Sequence, residues 1–216
     1  MRIGVLGTGM VGSAIATKLV EVGHEVRMGS RTADNERAAE WVATVGPGAS
    51  QGTFADAAAH GELVFNCTAG DGSLAALEAA GAENLAGKVL VDVSNPLDHS
   101  QGMPPGLFTS SFDSLAEQIQ RAFPDARVVK ALNTVNAKVM VEPSNVPGAH
   151  DVFLCGDDEA AKARVVELLE SFGWPAESVI DLGDLASARG MEAYLLLWIR
   201  LWGTLGTGRF NVKVVR

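Results

Sequence analysis

The chain has 216 residues, a length that fits one domain, or one domain with a small appendage. Hydrophobic residues make up 47% of it and charged residues 20%, which is a globular composition and not a disordered one. The formal net charge of −9 argues against sequence-independent binding of nucleic acid and against docking on an anionic membrane, because both need positive charge. We therefore expect a soluble, cytoplasmic protein.

Short apolar runs rich in Val, Leu and Phe recur along the chain, with helical patterns between them. The predicted strands span 2–6, 25–29, 62–67, 88–93, 127–131 and 151–155, with weaker candidates at 50–53 and 179–182. The predicted helices span 10–22, 33–44, 73–80, 113–123, 157–172 and 184–205. Thr32 is the expected N-cap of the second helix, and Thr53 with Asp56 predicts a capping box.

Strands that alternate with helices in this way are typical of an α/β protein with a doubly wound, mostly parallel sheet, the Rossmann dinucleotide-binding fold. We predict that this domain covers residues 1–155. Residues 156–216 are expected to form a small C-terminal helical subdomain that packs with it as one unit. The segment 96–112 shows no periodicity, so it is either a lid over a ligand or a passive surface loop.

The cysteines and histidines give no sign of a disulfide scaffold or a metal site. Cys67 and Cys155 lie far apart in apolar runs, so we expect buried, reduced thiols. The four histidines show no metal-ligand spacing with the cysteines or with one another, so no metal is expected. The apolar stretch 194–202 contains Arg200 and is much shorter than the roughly 20 residues that a membrane span needs.

The hexapeptide Gly7-Thr8-Gly9-Met10-Val11-Gly12 follows the first predicted strand and opens the first predicted helix. That context makes an otherwise weak GxGxxG pattern a strong indication of dinucleotide binding. Gly7 allows the tight turn, Gly9 lets a pyrophosphate approach the backbone, and Gly12 lets the helix pack closely on the strand. The helix N-terminus then offers amide donors to phosphate, so all six residues are predicted cofactor contacts.

The second predicted strand runs into Ser30-Arg31-Thr32, where an NAD-dependent enzyme usually carries an acidic residue. The planar guanidinium of Arg31 matches a phosphate group, and the hydroxyls of Ser30 and Thr32 can donate to the same oxygens. The three residues therefore predict a site for the 2′-phosphate of NADP, and NADP as the cofactor. The alternative is that Arg31 is an ordinary exposed loop arginine.

Small or amide side chains follow three further predicted strands, at the sheet edge where the nicotinamide end of the cofactor would lie. For Asn95 a structural role is an equal alternative, because Asn-Pro commonly starts a turn. The predicted contacts of the nicotinamide end are Cys67, Thr68, Ala69, Asn95, Pro96, Asn133 and Thr134.

No residue stands out as a general acid or base, and we assign no catalytic residue. His99, in the segment 96–112, is the one histidine that merits a test, and Lys130 in its predicted strand is as readily structural as functional. This absence is informative, because hydride transfer between two bound redox rings depends on positioning more than on acid–base groups.

Six segments, in the same order along the chain, resemble the F420-dependent NADP reductase family. They are GVLGTGMVGSAIATKL, GHEVRMGSR, LAGKVLVDVSNPL, ARVVKALNTV, CGDDEAAKARVVELL and LGDLASAR. The resemblance implies a Rossmann domain with a small C-terminal subdomain, a homodimer, and hydride transfer between NADPH and the deazaflavin coenzyme F420. It also implies that the glycine loop, Ser30 and Arg31 bind NADP.

The departures from the family pattern lie on the side of the second substrate. This chain has Thr68-Ala69-Gly70 where members often carry a proline–tryptophan pair, and Asn133 where archaeal members tend to have histidine. A related use of the same module, in metalloreductases, passes hydride to an ordinary flavin. The hydride acceptor is therefore expected to be F420 or a flavin.

Two other interpretations stay open. One is NADPH-dependent reduction of a small carbonyl or imine substrate, and the other is a non-catalytic NADP-binding module. The last predicted helix is apolar nearly all round over 194–202, so it should be buried. Its apolar surface is expected to lie either within the core of one chain or in a homodimer interface.

Overall fold

A computed structural model describes residues 1–215, in which ten strands are present. The strands are β1 (Arg2–Leu6), β2 (Glu25–Ser30), β3 (Ala49–Thr53), β4 (Leu63–Asn66), β5 (Val89–Asp92), β6 (Leu97–Asp98), β7 (Gly106–Leu107), β8 (Arg127–Ala131), β9 (Val152–Gly156) and β10 (Val179–Asp181). Eight of them form one sheet in the order β10-β9-β8-β5-β4-β1-β2-β3. The doubly wound α/β prediction is confirmed by this order, which reverses direction between β1 and β4.

The sheet is parallel from β3 through β8, and its last two strands run the other way. β9 pairs antiparallel with β8, with Lys130 opposite Cys155, and β10 then pairs parallel with β9. The run predicted at 151–155 is therefore a strand, but it runs antiparallel to its neighbour β8. An apolar run indicates that a strand is buried on both faces and carries no information about its direction.

Helices cover both faces of the sheet. They are α1 (Met10–Glu21), α2 (Glu36–Val45), α3 (Phe54–His60), α4 (Ser73–Ala80), α5 (Ala82–Leu85), α6 (Leu115–Ala122), α7 (Ala137–Val141), α8 (Glu159–Ser171) and α9 (Ala188–Leu205). Side chains of β4 alternate between the two layers, because successive residues of a strand point to opposite faces. Leu63 and Phe65 pack with α1, α2, α7 and α8, whereas Val64 packs with α3, α4, α6 and the start of α9.

Local capping explains where several helices begin. The Thr53–Asp56 capping box is present as predicted, with both reciprocal hydrogen bonds. The expectation for Thr32 is wrong, because Asn35 is the N-cap of α2 and its side chain accepts from the amide of Ala38. Asn and Thr are both good N-caps, so sequence alone did not decide between them. The consequence is that residues 31–35 form a turn that is free to line a cleft.

The segment 96–112 is a short hairpin and not an unstructured loop. Its strands β6 and β7 pair antiparallel, with Leu97 opposite Leu107 and Asp98 opposite Gly106. The amide of Phe108 donates to the carbonyl of Pro96 at 2.9 Å. Strands of two residues are too short to produce a detectable hydrophobic period, which is why the sequence did not predict them.

The C-terminal segment continues the same sheet through β10 and then leaves it as α9. The proposed division at residue 155 stays a prediction. Only the first turns of α9 are buried, at Ala188, Met191 and Glu192, whereas Leu197 is 55% exposed and Trp202 is 46% exposed. The expectation that this helix is buried on all sides is therefore wrong for a single copy of the chain. Within residues 1–215, no helix is long and apolar enough to cross a membrane.

Candidate functional site

The turn between β1 and α1 is held by close backbone packing at two of its three glycines. Gly7 has a φ of +117°, and a Cβ there would lie 2.8 Å from the carbonyl oxygen of Cys67. A Cβ on Gly12 would overlap the carbonyl oxygen of Gly7, so any larger residue separates α1 from the turn. Around Gly9, in contrast, a Cβ would meet nothing within 4 Å. That open space lies at the N-terminus of α1, where amide donors point outward.

A cleft of about 820 Å³, which we call the glycine-loop cleft, opens beside this turn. Gly7, Thr8 and Gly9 line its centre. The end at β2 has Ser30, Arg31, Asn35, Arg37 and Phe54, and the end at β4 has Cys67, Thr68, Ala69 and Asp71. Because both ends border on the glycine turn, one extended molecule can contact all three regions.

The end of the cleft at β2 is mainly basic and exposed. Arg31 and Arg37 line it together, and Glu36 joins them at the rim. The hydroxyl of Ser30 donates to the carbonyl of Thr32, which fixes the turn that presents Arg31. Thr32 is exposed and is not among the residues that line the glycine-loop cleft.

A second cavity of about 320 Å³, the acceptor-side pocket, shares the wall formed by residues 67–69 and 71 with the glycine-loop cleft. Its remaining lining comes from α1, the turn after β4, the turn after β5 and the hairpin. These residues are Val11, Gly70, Val93, Ser94, Asn95, Leu97 and His99. The pocket therefore brings together the predicted residues Val11, Cys67, Thr68, Ala69 and Asn95, with His99 at its edge.

The other predicted residues lie behind the pocket or outside it. Asn133 is only 1% exposed, and its amide nitrogen donates to the side-chain oxygen of Asn95 at 2.9 Å. Thr134 is also 1% exposed. Pro96 is buried against Gly70, where any Cβ would collide with the Asn95–Pro96 backbone. Met10, at the start of α1, is 72% exposed, and its role as a cofactor contact stays a prediction.

Leu132 adopts a φ of +63°, the left-handed region that is costly for a branched side chain. It immediately precedes Asn133, so the strained residue sets the direction in which Asn133 meets Asn95. The side-chain amide of Asn95 donates back to the carbonyl of Asn133 at 3.1 Å. The side-chain oxygens of Asn133 and Thr134 are buried, and residues 1–215 supply no hydrogen-bond partner for either.

Buried polar groups under the acceptor-side pocket form a connected network that the sequence did not reveal. Asn66 accepts from the hydroxyl of Thr68 at 2.6 Å and donates to the carboxylate of Asp92 at 2.9 Å. Lys130 donates to Asp92 at 2.7 Å and to Glu192 at 2.8 Å, and the side chains of all three are at most 1% exposed. The one signal in the sequence was Lys130 inside an apolar predicted strand, and a lone lysine does not show which residues it pairs with.

Burial and charge set the protonation of these groups. Burial raises the pKa of the Glu192 carboxyl, and the Lys130 ammonium beside it opposes that shift. Burial acts to lower the pKa of Lys130, but the carboxylates of Asp92 and Glu192 outweigh it and hold the pKa above its ordinary value. Burial, together with the charge of Asp92, raises the pKa of the Cys67 thiol well above its ordinary range. Cys67 is therefore protonated at neutral pH and a poor nucleophile.

The fold and the site define a class of protein. A glycine turn between β1 and α1, a basic strand end at β2 and a cleft across the switch point of a doubly wound sheet are the features of dinucleotide-dependent oxidoreductases. The family described as "NADP oxidoreductase coenzyme F420-dependent" matches residues 2–96. The chain is 30% identical over 222 residues to the F420-dependent NADP reductase of Methanocaldococcus jannaschii, with 96% of each chain covered.

The chain belongs to this F420-dependent NADP reductase family. The family resemblance read from the sequence is confirmed. A crystal structure from Arthrobacter sp. FB24, solved as that of a candidate F420-dependent NADP reductase, matches with a TM-score of 0.94 and 53% identity over 100% of both chains.

Two further likenesses are more limited. Rat metalloreductase STEAP3 is 33% identical over 204 residues, which are 93% of this chain but only 38% of that protein. The chain thus spans well under half the length of this relative. An imine reductase from Streptomyces aurantiacus has a TM-score of 0.67 at 21% identity, covering 95% of this chain and 64% of that one, and it shows a shared fold alone.

Proposed function

We propose that this protein transfers a hydride between NADP(H) and a deazaflavin of the F420 type or an ordinary flavin. The observation that carries the proposal is the wall shared by two adjoining cavities. The glycine-loop cleft, of about 820 Å³, is lined by the glycine turn and by the basic end of β2, and the acceptor-side pocket adjoins it at Thr68 and Asp71. Because the two cavities adjoin along these residues, one redox ring in each cavity could lie beside the other at this junction.

The residues of the glycine-loop cleft fit NADP. Open space at Gly9 leaves room for a pyrophosphate beside the amides of α1. Arg31, with Arg37 near it, offers a guanidinium to a 2′-phosphate. We assign Ser30 and Thr32 to the same phosphate, and Thr68, Asn95 and the pair Asn133–Thr134 to the nicotinamide end.

When bound, NADP(H) supplies or accepts the hydride, and reduction of the acceptor also consumes one proton. The protein's part is to hold the two rings in contact and to exclude water from between them. Thr68 and Asn95 face the acceptor-side pocket with hydrogen-bonding groups that are themselves fixed, Thr68 by Asn66 and Asn95 by Asn133. The Thr68 hydroxyl donates to Asn66, so its oxygen is left to accept, whereas the side-chain amide of Asn95 keeps one N–H to donate. Fixed groups of this kind would orient a carboxamide or a ring carbonyl without taking part in bond breaking.

The test is an anaerobic assay of NADPH oxidation with F420, FMN and FAD in parallel, followed by the visible absorbance of each acceptor. Bleaching of F420 alone supports the deazaflavin, and bleaching of FMN or FAD alone supports a flavin. Absence of bleaching with all three would overturn the proposal. The control is the Gly9→Ala variant, which we expect to weaken NADPH binding about tenfold or more and to lower turnover with every acceptor at subsaturating NADPH.

A small carbonyl or imine substrate is the second candidate, and the observation that favours it is His99 at the edge of the acceptor-side pocket. Reduction of a carbonyl or imine places a proton on oxygen or nitrogen, and histidine exchanges protons near neutral pH. This candidate predicts NADPH oxidation by ketones or imines that His99→Gln lowers, whereas transfer to F420 in the same variant should change less.

A further inference from the structure

The structure points to Asp92, Lys130 and Glu192, a buried triad of charges, as positioning residues for hydride transfer. We propose that the triad holds both walls of the acceptor-side pocket at the spacing that the two redox rings need, and that it transmits this constraint from α9. The inference rests on the proposed function for what the pocket binds. None of the three side chains touches the pocket, so each would act through Thr68 and Asn95.

Asp92 anchors both walls of the pocket. One of its carboxylate oxygens accepts from the hydroxyl of Ser94 at 2.6 Å and from the amide of Asn66 at 2.9 Å. Ser94 belongs to the wall that carries Asn95, and Asn66 fixes Thr68 in the opposite wall. A single buried carboxylate therefore sets the distance between the two segments that end β4 and β5.

Lys130 holds that carboxylate and reaches the same wall directly. Its ammonium donates to the other oxygen of Asp92 at 2.7 Å and to the backbone carbonyl of Ser94 at 2.6 Å. The third acceptor is Glu192 at 2.8 Å. Three short, charge-assisted hydrogen bonds in a buried site give the ammonium one defined position. Movement of Glu192 is therefore passed on to the peptide that precedes Asn95.

Glu192 ties the triad to the helices outside the sheet. It lies on α9, and its two oxygens accept from the amides of Leu115 at 2.9 Å and Ala116 at 3.2 Å, the first residues of α6. A buried carboxylate at a helix N-terminus satisfies orphan amides and is favoured by the helix dipole. One side chain thus fixes α9, the start of α6 and the charge under the pocket.

The same two helices carry a matched control. Arg189 on α9 pairs with Glu117 on α6, and the pair lies nearer the surface, with the Arg189 side chain 38% exposed. Glu117→Gln removes one contact between α6 and α9 without touching Lys130 or Ser94. Glu192→Gln removes the other contact and also the charge that holds Lys130. A difference between the two variants therefore reports the link to the pocket and not helix packing as such.

The experiment first uses NADPH alone. Fluorescence emission and anisotropy of bound NADPH report the mobility of the nicotinamide ring, and we expect them to change in Glu192→Gln but not in Glu117→Gln. The dissociation constant should stay within about twofold in both variants, because the phosphate contacts at Gly9 and Arg31 are unchanged. Equal nicotinamide signals in the two variants would overturn the inference.

Turnover with the accepted flavin or deazaflavin is the second readout. We expect Glu192→Gln to lower kcat about tenfold or more with little change in the KM for NADPH, and to alter the isotope effect of NADPH deuterated at the transferred position. Glu192→Asp keeps the charge but shortens the side chain, so its kcat should lie between those of the wild type and Glu192→Gln. This variant replaces Glu192→Gln in the test if the glutamine variant fails to fold. Inactivity of the wild type with all acceptors would reject the proposed function while the fluorescence result still decides the role of the triad.

Discussion

Arg31 lies at the exposed end of the glycine-loop cleft, where its guanidinium faces open space beside the turn that Ser30 and Thr32 close. Its position could be predicted from sequence, because the residue that follows the second strand must lie at the carboxyl end of that strand. The fork of donors on arginine distinguishes a phosphate from a hydroxyl by charge and by shape.

Arg31→Ala should therefore weaken NADPH binding about 10- to 100-fold and leave NADH binding nearly unchanged, since charge-assisted hydrogen bonds contribute about 1.5–3 kcal/mol each. Fluorescence titration with the two cofactors measures both constants. Arg37→Ala removes a second arginine from the same cleft and should have a smaller effect. Equal losses for NADPH and NADH in Arg31→Ala would show that this residue does not read the phosphate.

The triad under the acceptor-side pocket marks where residue-level prediction from sequence ends. Lys130 and Glu192 are 62 positions apart, and each belongs to an element whose pattern predicts only that it is a strand or a helix. The pocket residues at strand ends could be predicted from sequence, because the carboxyl ends of parallel strands meet at one edge of the sheet. Partners that meet through the packing of α9 on the sheet depend on a helix rotation that no periodic signal specifies.

At the scale of single elements, the turn before α1 offers a test in which one glycine is structural and its neighbour is functional. Gly12→Ala places a methyl group on the carbonyl of Gly7 and should lower the free energy of unfolding by about 3 kcal/mol or more. Gly9 has a φ of −79°, which alanine adopts freely, so Gly9→Ala should fold with near wild-type stability. Its methyl group would occupy the space of the pyrophosphate and weaken NADPH binding about tenfold or more.

Urea denaturation and NADPH titration of both variants separate the two effects. The two variants are well matched, because each of them adds one methyl group to a glycine of the same motif. The assignment of roles fails if Gly12→Ala is as stable as the wild type, or if Gly9→Ala binds NADPH normally.

The contact between α6 and α9 should depend on pH through Glu117. The guanidinium of Arg189 lowers the pKa of this carboxyl below its ordinary value, so the folded state binds the proton less readily than the unfolded state does. The stabilisation is therefore present above the ordinary glutamate value of about 4.3 and is lost as the pH falls through the lowered value. The pair is partly exposed, which limits its contribution to about 1 kcal/mol.

Glu117→Gln should accordingly lower the free energy of unfolding by up to about 1 kcal/mol at pH 7, and this difference from wild type should be smaller at pH 3. Denaturant titrations at the two pH values provide the measurement. Glu159→Gln is the control, because the Glu159 side chain is 84% exposed and its loss should change little at either pH. A difference that is as large at low pH as at pH 7 would assign the effect to packing.

Element prediction succeeded where hydrophobic period and length were both sufficient. All of the predicted strands are present, and α1, α4 and α6 begin within two or three residues of their expected positions. The helices α5 and α7 span four and five residues, and β6 and β7 two each, so none completes a detectable period. The hairpin that bears His99 was therefore seen as a loop, although its place at the carboxyl end of β5 was correct.

For the whole molecule, the order of the parallel strands from β3 to β8 agrees with right-handed crossovers, a rule that does not extend to the reversal at β9. A strand after β8 can join the sheet in either direction, and its length and composition are the same for both. That choice turns the chain back and brings α9 across the end of the sheet, where Glu192 meets Lys130. The acceptor side of the site thus depends on the part of the topology that sequence leaves undetermined.

The outer half of α9 leads to the last prediction, a homodimer. Leu197, Trp202 and Leu205 are each between 46% and 55% exposed, which is a costly apolar surface for one chain in water. Trp198 stacks on Trp202 and on Phe210, with ring centroids 6.4 and 5.2 Å apart, so these aromatic rings form one continuous apolar surface. A twofold pairing of α9 with α9 would cover the same residues on both copies.

We therefore expect light scattering after gel filtration to give twice the chain mass of 22.6 kDa for the wild type and 22.6 kDa for the double variant Leu197→Glu with Trp202→Glu. Charged residues in an apolar interface are expensive to bury, whereas on a monomer surface they cost little. Met103→Glu is the matched control, because Met103 is 64% exposed but lies on the hairpin, and it should leave the mass of the dimer unchanged. A wild type of single-chain mass, or dissociation by Met103→Glu, would exclude α9 as the interface.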